Sequence, residues 1–225
     1  KTLVTQNLTV NSTNVAIGQG SGTPTQSDFS VAIGNQAGAS TQGNFSTAVG
    51  NRAGNSNQGN SGVAVGMYAG SSNQKDNAVA IGNQAGQITQ GQRSVGVGKL
   101  AGYSNQGDDS VAIGNQAGSA SQGTNSVAIG NNAGYTDQGD NSVAIGYLAG
   151  KTNQNTNSII INATGVELGN TNDASFVVKP VRSAAGTCSL QYNPTTGEIT
   201  YDSFSSDHDV TWNTLKEKTG PSGPT

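Results

Sequence analysis

Short bursts of alternating apolar and polar character recur along the chain at a fixed interval. Val31 and Ile33, Val63 and Val65, and Val127 and Ile129 each flank one small residue and are followed by glycine. The bursts begin at Asn14, Ser30, Ser46, Gly62, Ala78, Ser94, Ser110, Ser126, Ser142 and Ser158, always sixteen residues apart. A period of two over so short a run predicts a strand with both apolar side chains on one face, expected to look inward. Repetition without insertion predicts that each unit is one coil of a stack. Residues 14–173 therefore read as ten sixteen-residue coils of an all-β, parallel β-solenoid or β-roll.

Two further features recur in all units but the last. Glycine ends each strand from Gly18 to Gly146 and returns four residues later from Gly22 to Gly150, which predicts the corners of the coil. Glutamine holds one phase at Gln26, Gln42, Gln58, Gln74, Gln90, Gln106, Gln122, Gln138 and Gln154. Stacked coils would bring these amides about 4.8 Å apart into a structural ladder.

The middle residue of each strand is small: Ala16, Ala32, Ala48, Ala64, Ala80, Gly96, Ala112, Ala128 and Ala144, with Ile160 in the last coil. It lies on the face opposite Val and Ile. Two arrangements suit a row of alanines there: close packing by another chain, or a second internal layer of one chain. A core of one Val, one Ile and one Ala per coil is thin. The expectation is accordingly that the alanines pack between chains, most simply in a homotrimer.

Composition restricts function more than fold. Hydrophobic residues make up 32%, charged residues 10%, and 33 residues are glycine. Typical domains have about 45–50% and about 25% of the first two classes. The net charge is −3 and no Lys/Arg run occurs, which argues against nucleic acid. No apolar stretch reaches the ~18 residues of a membrane span, so no membrane insertion is expected. No signal peptide is visible. Cys188 is the single cysteine and is expected to be an inert thiol.

The SVAIG strand-and-glycine unit, with small residues and polar turns, resembles the head repeats of trimeric autotransporter adhesins, the YadA-like family. It is also similar to repeats in fibre proteins of phages and large algal viruses. The resemblance covers residues 14–173 and implies a parallel β-roll, a trimer and a surface role in attachment. Adhesin head units are usually shorter than sixteen residues, and the glutamine column is a departure. Residues 174–225 lack the hydrophobic strands of an outer-membrane anchor, which favours a viral or secreted fibre.

The ends have their own patterns. Residues 1–13 alternate at Leu3, Leu8 and Val10 and are expected to cap the stack as a strand. Residues 174–204 read as a small β neck, with a hairpin from Leu190 and Tyr192 through Asn193–Gly197 to Ile199 and Tyr201. Residues 205–219 read as a linker with a short helix over Trp212–Lys218, and residues 220–225 form two Gly-X-Y triplets, the start of a collagen-like stalk.

Candidate chemistry is sparse. The lone His208 lies in the linker, so no catalytic triad, no metal site and no cofactor are expected, and the chain is not an enzyme. Asp108, Asp109, Asp137 and Asp140 read as solvated turn acids. N-glycosylation sequons stand at Asn7, Asn11, Asn44 and Asn162. The leading function is an extracellular structural fibre or adhesin that attaches to a host-surface receptor or glycan. A polymeric extracellular filament, joined end to end, is the alternative. An ice-binding solenoid ranks below both, because no regular Thr row follows the second glycine.

Overall fold

The computed structural model describes residues 8–10, 13–22, 26–181 and 188–203. Among these, every regular element is a strand. The chain divides into two units, 1–180 and 181–225.

The first unit is a parallel β-solenoid of about ten turns. Each coil contributes a strand such as Val63–Val65 to one sheet and, in the central coils, a second strand such as Ser72–Gln74 to another. The first sheet has twelve strands, from Leu8–Val10 to Phe176–Lys179, and the second has six, from Ser56–Gln58 to Thr136–Gln138. Register follows the repeat: Val95 pairs with Val79 and Val111, Gly96 with Ala80 and Ala112, and Gln106 with Gln90 and Gln122. Isolated bridges extend the second sheet through Gln26, Gln42 and Thr152.

The corners depend on left-handed backbone. One central coil places Gly50, Arg52, Gly54, Asn57 and Ser61 at positive φ. Asn and Asp tolerate this region best after glycine, and Asn77, Asp109, Asn125, Asn141 and Asn157 hold one such phase. Gly114 meets two constraints at once. Its φ is 129°, and a Cβ there would lie 2.6 Å from the carbonyl oxygen of Gly130 in the next coil.

The interior is lined by small residues, and here the structure departs from expectation. Ala32, Ala48, Ala64, Ala80, Ala112, Ala128 and Ala144 are fully buried within their own chain, and Ala16 nearly so. They pack with a second alanine column, Ala37 to Ala149, into two core clusters. The internal-layer arrangement thus describes these eight alanines, and their assignment to inter-chain packing is corrected. The physical reason is width. A Cβ on Gly54 would sit 3.2 Å from the Ala48 methyl and 2.6 Å from Gln58 Oε1, so nothing larger than a methyl fits. Val and Ile, expected inside, face out instead.

Both solenoid ends differ from the middle. Leu8–Val10 runs antiparallel to Val15–Ile17, with Leu8 opposite Ile17. The stack also runs past residue 173. After a longer last loop, Phe176–Lys179 adds parallel to Ile159–Asn162, so this segment belongs to the solenoid and not to a separate neck. Ile160 and Leu168 are buried there and Val177 packs against them, closing the stack with larger side chains.

The second unit contains an antiparallel hairpin, Cys188–Tyr192 with Ile199–Ser203. Its turn is held by Asn193, whose Oδ1 accepts the Thr195 and Thr196 N–H groups. The expected linker with its short helix, His208 and the Gly-X-Y triplets lie outside the described residues, as do Asn7, Asn11 and the Cys188 side chain.

Candidate functional site

Three columns of side chains build the interior. Alanine supplies the two narrow ones, and glutamine the third. Gln42, Gln58, Gln74, Gln90, Gln106, Gln122, Gln138 and Gln154 are buried, and Gln26 is half-buried. Each Nε2 donates across its own coil to the backbone carbonyl of the first strand residue: Gln58 to Thr47, Gln74 to Val63, Gln106 to Val95. Direct amide-to-amide bonds between coils occur from Gln74 to Gln90 and from Gln138 to Gln154. The column therefore ties the two sheets of one coil together more than it ties coil to coil. The Oε1 atoms of Gln42, Gln58, Gln74, Gln106, Gln122 and Gln138 have no hydrogen-bond partner among the described residues. Each fills the space that a Cβ on the preceding corner glycine would need, as Gln122 Oε1 does 2.6 Å from the Gly118 position.

A serine at the strand entrance closes the turn in seven of the ten coils. Ser46, Ser94, Ser110, Ser126 and Ser142 donate Oγ–H to the carbonyl three residues earlier, at 2.5–2.7 Å. An Asx residue just before it bridges coils. Asn60 Oδ1 accepts the Asn44 N–H, Asp76 Oδ1 the Asn60 N–H, Asp108 Oδ1 the Gln92 N–H and Asp140 Oδ1 the Thr124 N–H. The Gln92 N–H, and after it the Lys75 ammonium, hold the Asp108 carboxyl below the usual carboxylate range. Arg93 does the same to Asp109 through a bidentate pair. Asp108 and Asp109 thus serve the coil corner, and among the described residues no group of His, Cys, Asp and Glu could hold a metal ion.

The outward face of the twelve-strand sheet carries the chain's apolar surface. Val15, Val31, Val63, Val79, Val95, Val111, Val127 and Val143 form one half-buried column, broken once by Thr47. Ile17, Ile33, Ile81, Ile113, Ile129, Ile145 and Ile161 form a second, each 36–40% exposed. Eleven parallel strands at ~4.8 Å make this stripe about 50 Å long. At roughly 10 Å width it covers about 500 Å², the upper end of what a free monomer exposes.

Of the sequons on described residues, Asn44 is exposed in a turn. Asn162 is not available in the fold. It is 2% exposed, donates Nδ2–H to the Tyr147 and Val166 carbonyls, and accepts from Thr164. Its amide replaces the corner glycine by saturating the last loop, and glycosylation there is corrected to a structural role.

A stack of repeated coils, a methyl-and-amide interior and one apolar outer face define a β-solenoid repeat protein. The family model of the YadA head domain repeat matches the chain in two copies, over residues 26–53, 106–133 and 138–149, under a third of its 225 residues. No curated protein and no solved structure matches the chain.

The signal for the inverted strand was present in the sequence. The middle position admits only Ala or Gly in nine coils, whereas its neighbours vary among Val, Thr and Ile. A column restricted in volume is an interior column.

Proposed function

We propose that the chain is a non-enzymatic segment of an extracellular attachment fibre, and that it works as a homotrimer with three Val/Ile faces sharing one central core. The observation that carries this reading is the uncovered apolar stripe along the whole solenoid. A coil filled with alanine methyls buries little apolar surface of its own. The strand Val and Ile side chains lie outside, on one face, where two further copies would remove them from water. Heads of the YadA type are trimeric adhesins, which supports the same arrangement. The opposite sheet and the corners then face outward, and attachment to a host-surface receptor falls to them. Of the sequons on described residues, Asn44 is the one that such an assembly leaves open to glycosylation.

Light scattering on the native particle tests the assembly. A mass near three chains is expected, and Ile113→Asp, which puts a charge into the stripe but touches no intrachain core, is expected to shift it toward one chain. A wild-type monomer would remove the trimer. Very large species would replace it with a polymer joined end to end.

A further inference from the structure

We propose that the corner spanning Phe29, Phe45, Asn60 and Asp76 is a binding site for a neutral saccharide. This rests on the attachment reading and names its ligand class. The corner phase just before the strand is polar in most coils: Ser61, Asn77, Arg93, Asp109, Asn125, Asn141 and Asn157. In two consecutive coils it is phenylalanine instead. Phe29 and Phe45 are 58% and 63% exposed. Both are held at φ 58°, a region that bulky side chains disfavour. Their rings lie parallel, with centroids 5.3 Å apart and an interplanar angle of 4°. Backbone strain and exposure are both unfavourable, and a polar residue would avoid them, as it does in seven other coils. Such cost at a surface points to a ligand.

The surroundings specify the ligand. One ring face of Phe45 is covered by Phe29, and at the next level stands only Ser61. The open ring face suits the C–H face of a pyranose. Beside it runs the Asx ladder. Asn44 N–H donates to Asn60 Oδ1, and Asn60 N–H to Asp76 Oδ1. Among the described residues this leaves Asn60 Nδ2 and Asp76 Oδ2 unpaired, one donor and one acceptor for hydroxyl groups. Asp76 also lines a concavity of about 450 Å³, together with Asn57, Gly59, Asn73, Lys75 and Gln92. Asn57 donates to Asn73, so two of the lining amides are paired with each other. Lys75, also in the lining, is engaged with Asp108. An aromatic face, a small-residue notch, neutral amides and one carboxylate oxygen select an uncharged, hydroxyl-rich ligand with an apolar side. They do not select an anion.

The test uses the full chain made in a host without N-glycosylation. It is exposed to an array of neutral and N-acetylated oligosaccharides, with sialylated and sulfated glycans as charged comparators. Hits are followed by titration calorimetry. The substitutions are Phe29→Asn with Phe45→Asn, which restore the residue that other coils use at this phase. Expected are binding to neutral glycans, a loss of about tenfold or more in affinity in the double variant, and an unchanged or raised melting temperature. Glycan binding that survives the double substitution overturns the site, as does preference for charged glycans or no glycan binding by the wild type. If the variant instead loses its native mass while glycan binding persists, the phenylalanines serve contact between copies and the site is likewise rejected. Native mass is measured in parallel, so a wild-type trimer without glycan binding removes this site and leaves the fibre reading standing.

Discussion

A single methyl group decides how each coil is filled. Gly96 is the exception that shows it. A Cβ at this position would meet Ala101 O at 3.1 Å and Gln106 Oε1 at 3.5 Å, and eight other coils already hold alanine there. Gly96→Ala is expected to raise stability by about 0.5–1 kcal/mol, mostly by restricting the unfolded chain, as read from denaturant midpoints. Asp108 offers a test of charge. Its folded carboxyl lies below the ordinary value, so its contribution is present above an unfolded pKa of about 3.9 and is lost as pH falls through the depressed folded value. Asparagine can still accept the Gln92 N–H, as Asn60 accepts that of Asn44. Asp108→Asn should therefore cost only roughly 0.5 kcal/mol at neutral pH after screening. The gap from the parent should shrink below about pH 4.

At the scale of the element, the sixteen-residue period was legible because corners and columns demand fixed residue types. Gly34, Gly50 and Gly66 stack so closely that a Cβ on any of them would meet the next coil's carbonyl. The glutamine phase was legible for a similar reason, although its bonds run across the coil rather than along the axis. What alternation alone could not show was which face is inside. Period two separates Val31 and Ile33 from Ala32, but the habit of placing the larger side chains inward assumes an interior wide enough for them. This one is as wide as two methyls and an amide. The corner phenylalanines escaped notice because no periodic signal attaches to an exception. Gly114→Ala tests the stacking directly. Backbone strain and the 2.6 Å approach to Gly130 O should cost about 2–4 kcal/mol. Protease should nick the chain at that coil before the distant ones.

For the solenoid as a whole, backbone pairing runs between neighbouring coils, so stability is shared along the rod and its ends matter most. Ile160 occupies the alanine phase in the last full coil and is fully buried against Leu168 and Val177. Ile160→Ala should cost about 2–4 kcal/mol through the cavity it leaves. Hydrogen exchange should accelerate first in Val143–Gly146 and Ile159–Asn162, with the coils near Val31 protected as before.

The pairing of Val95 with both Val79 and Val111 has an evolutionary corollary. Any central level of the rod can sit on any other central level, since each presents the same rung above and below. Duplicating or losing one unit in the gene would lengthen or shorten the rod by a quantum of about 4.8 Å without inventing a new kind of contact. The molecule behaves as a ruler whose divisions are interchangeable, and its reach can drift between generations while its cross-section stays constant.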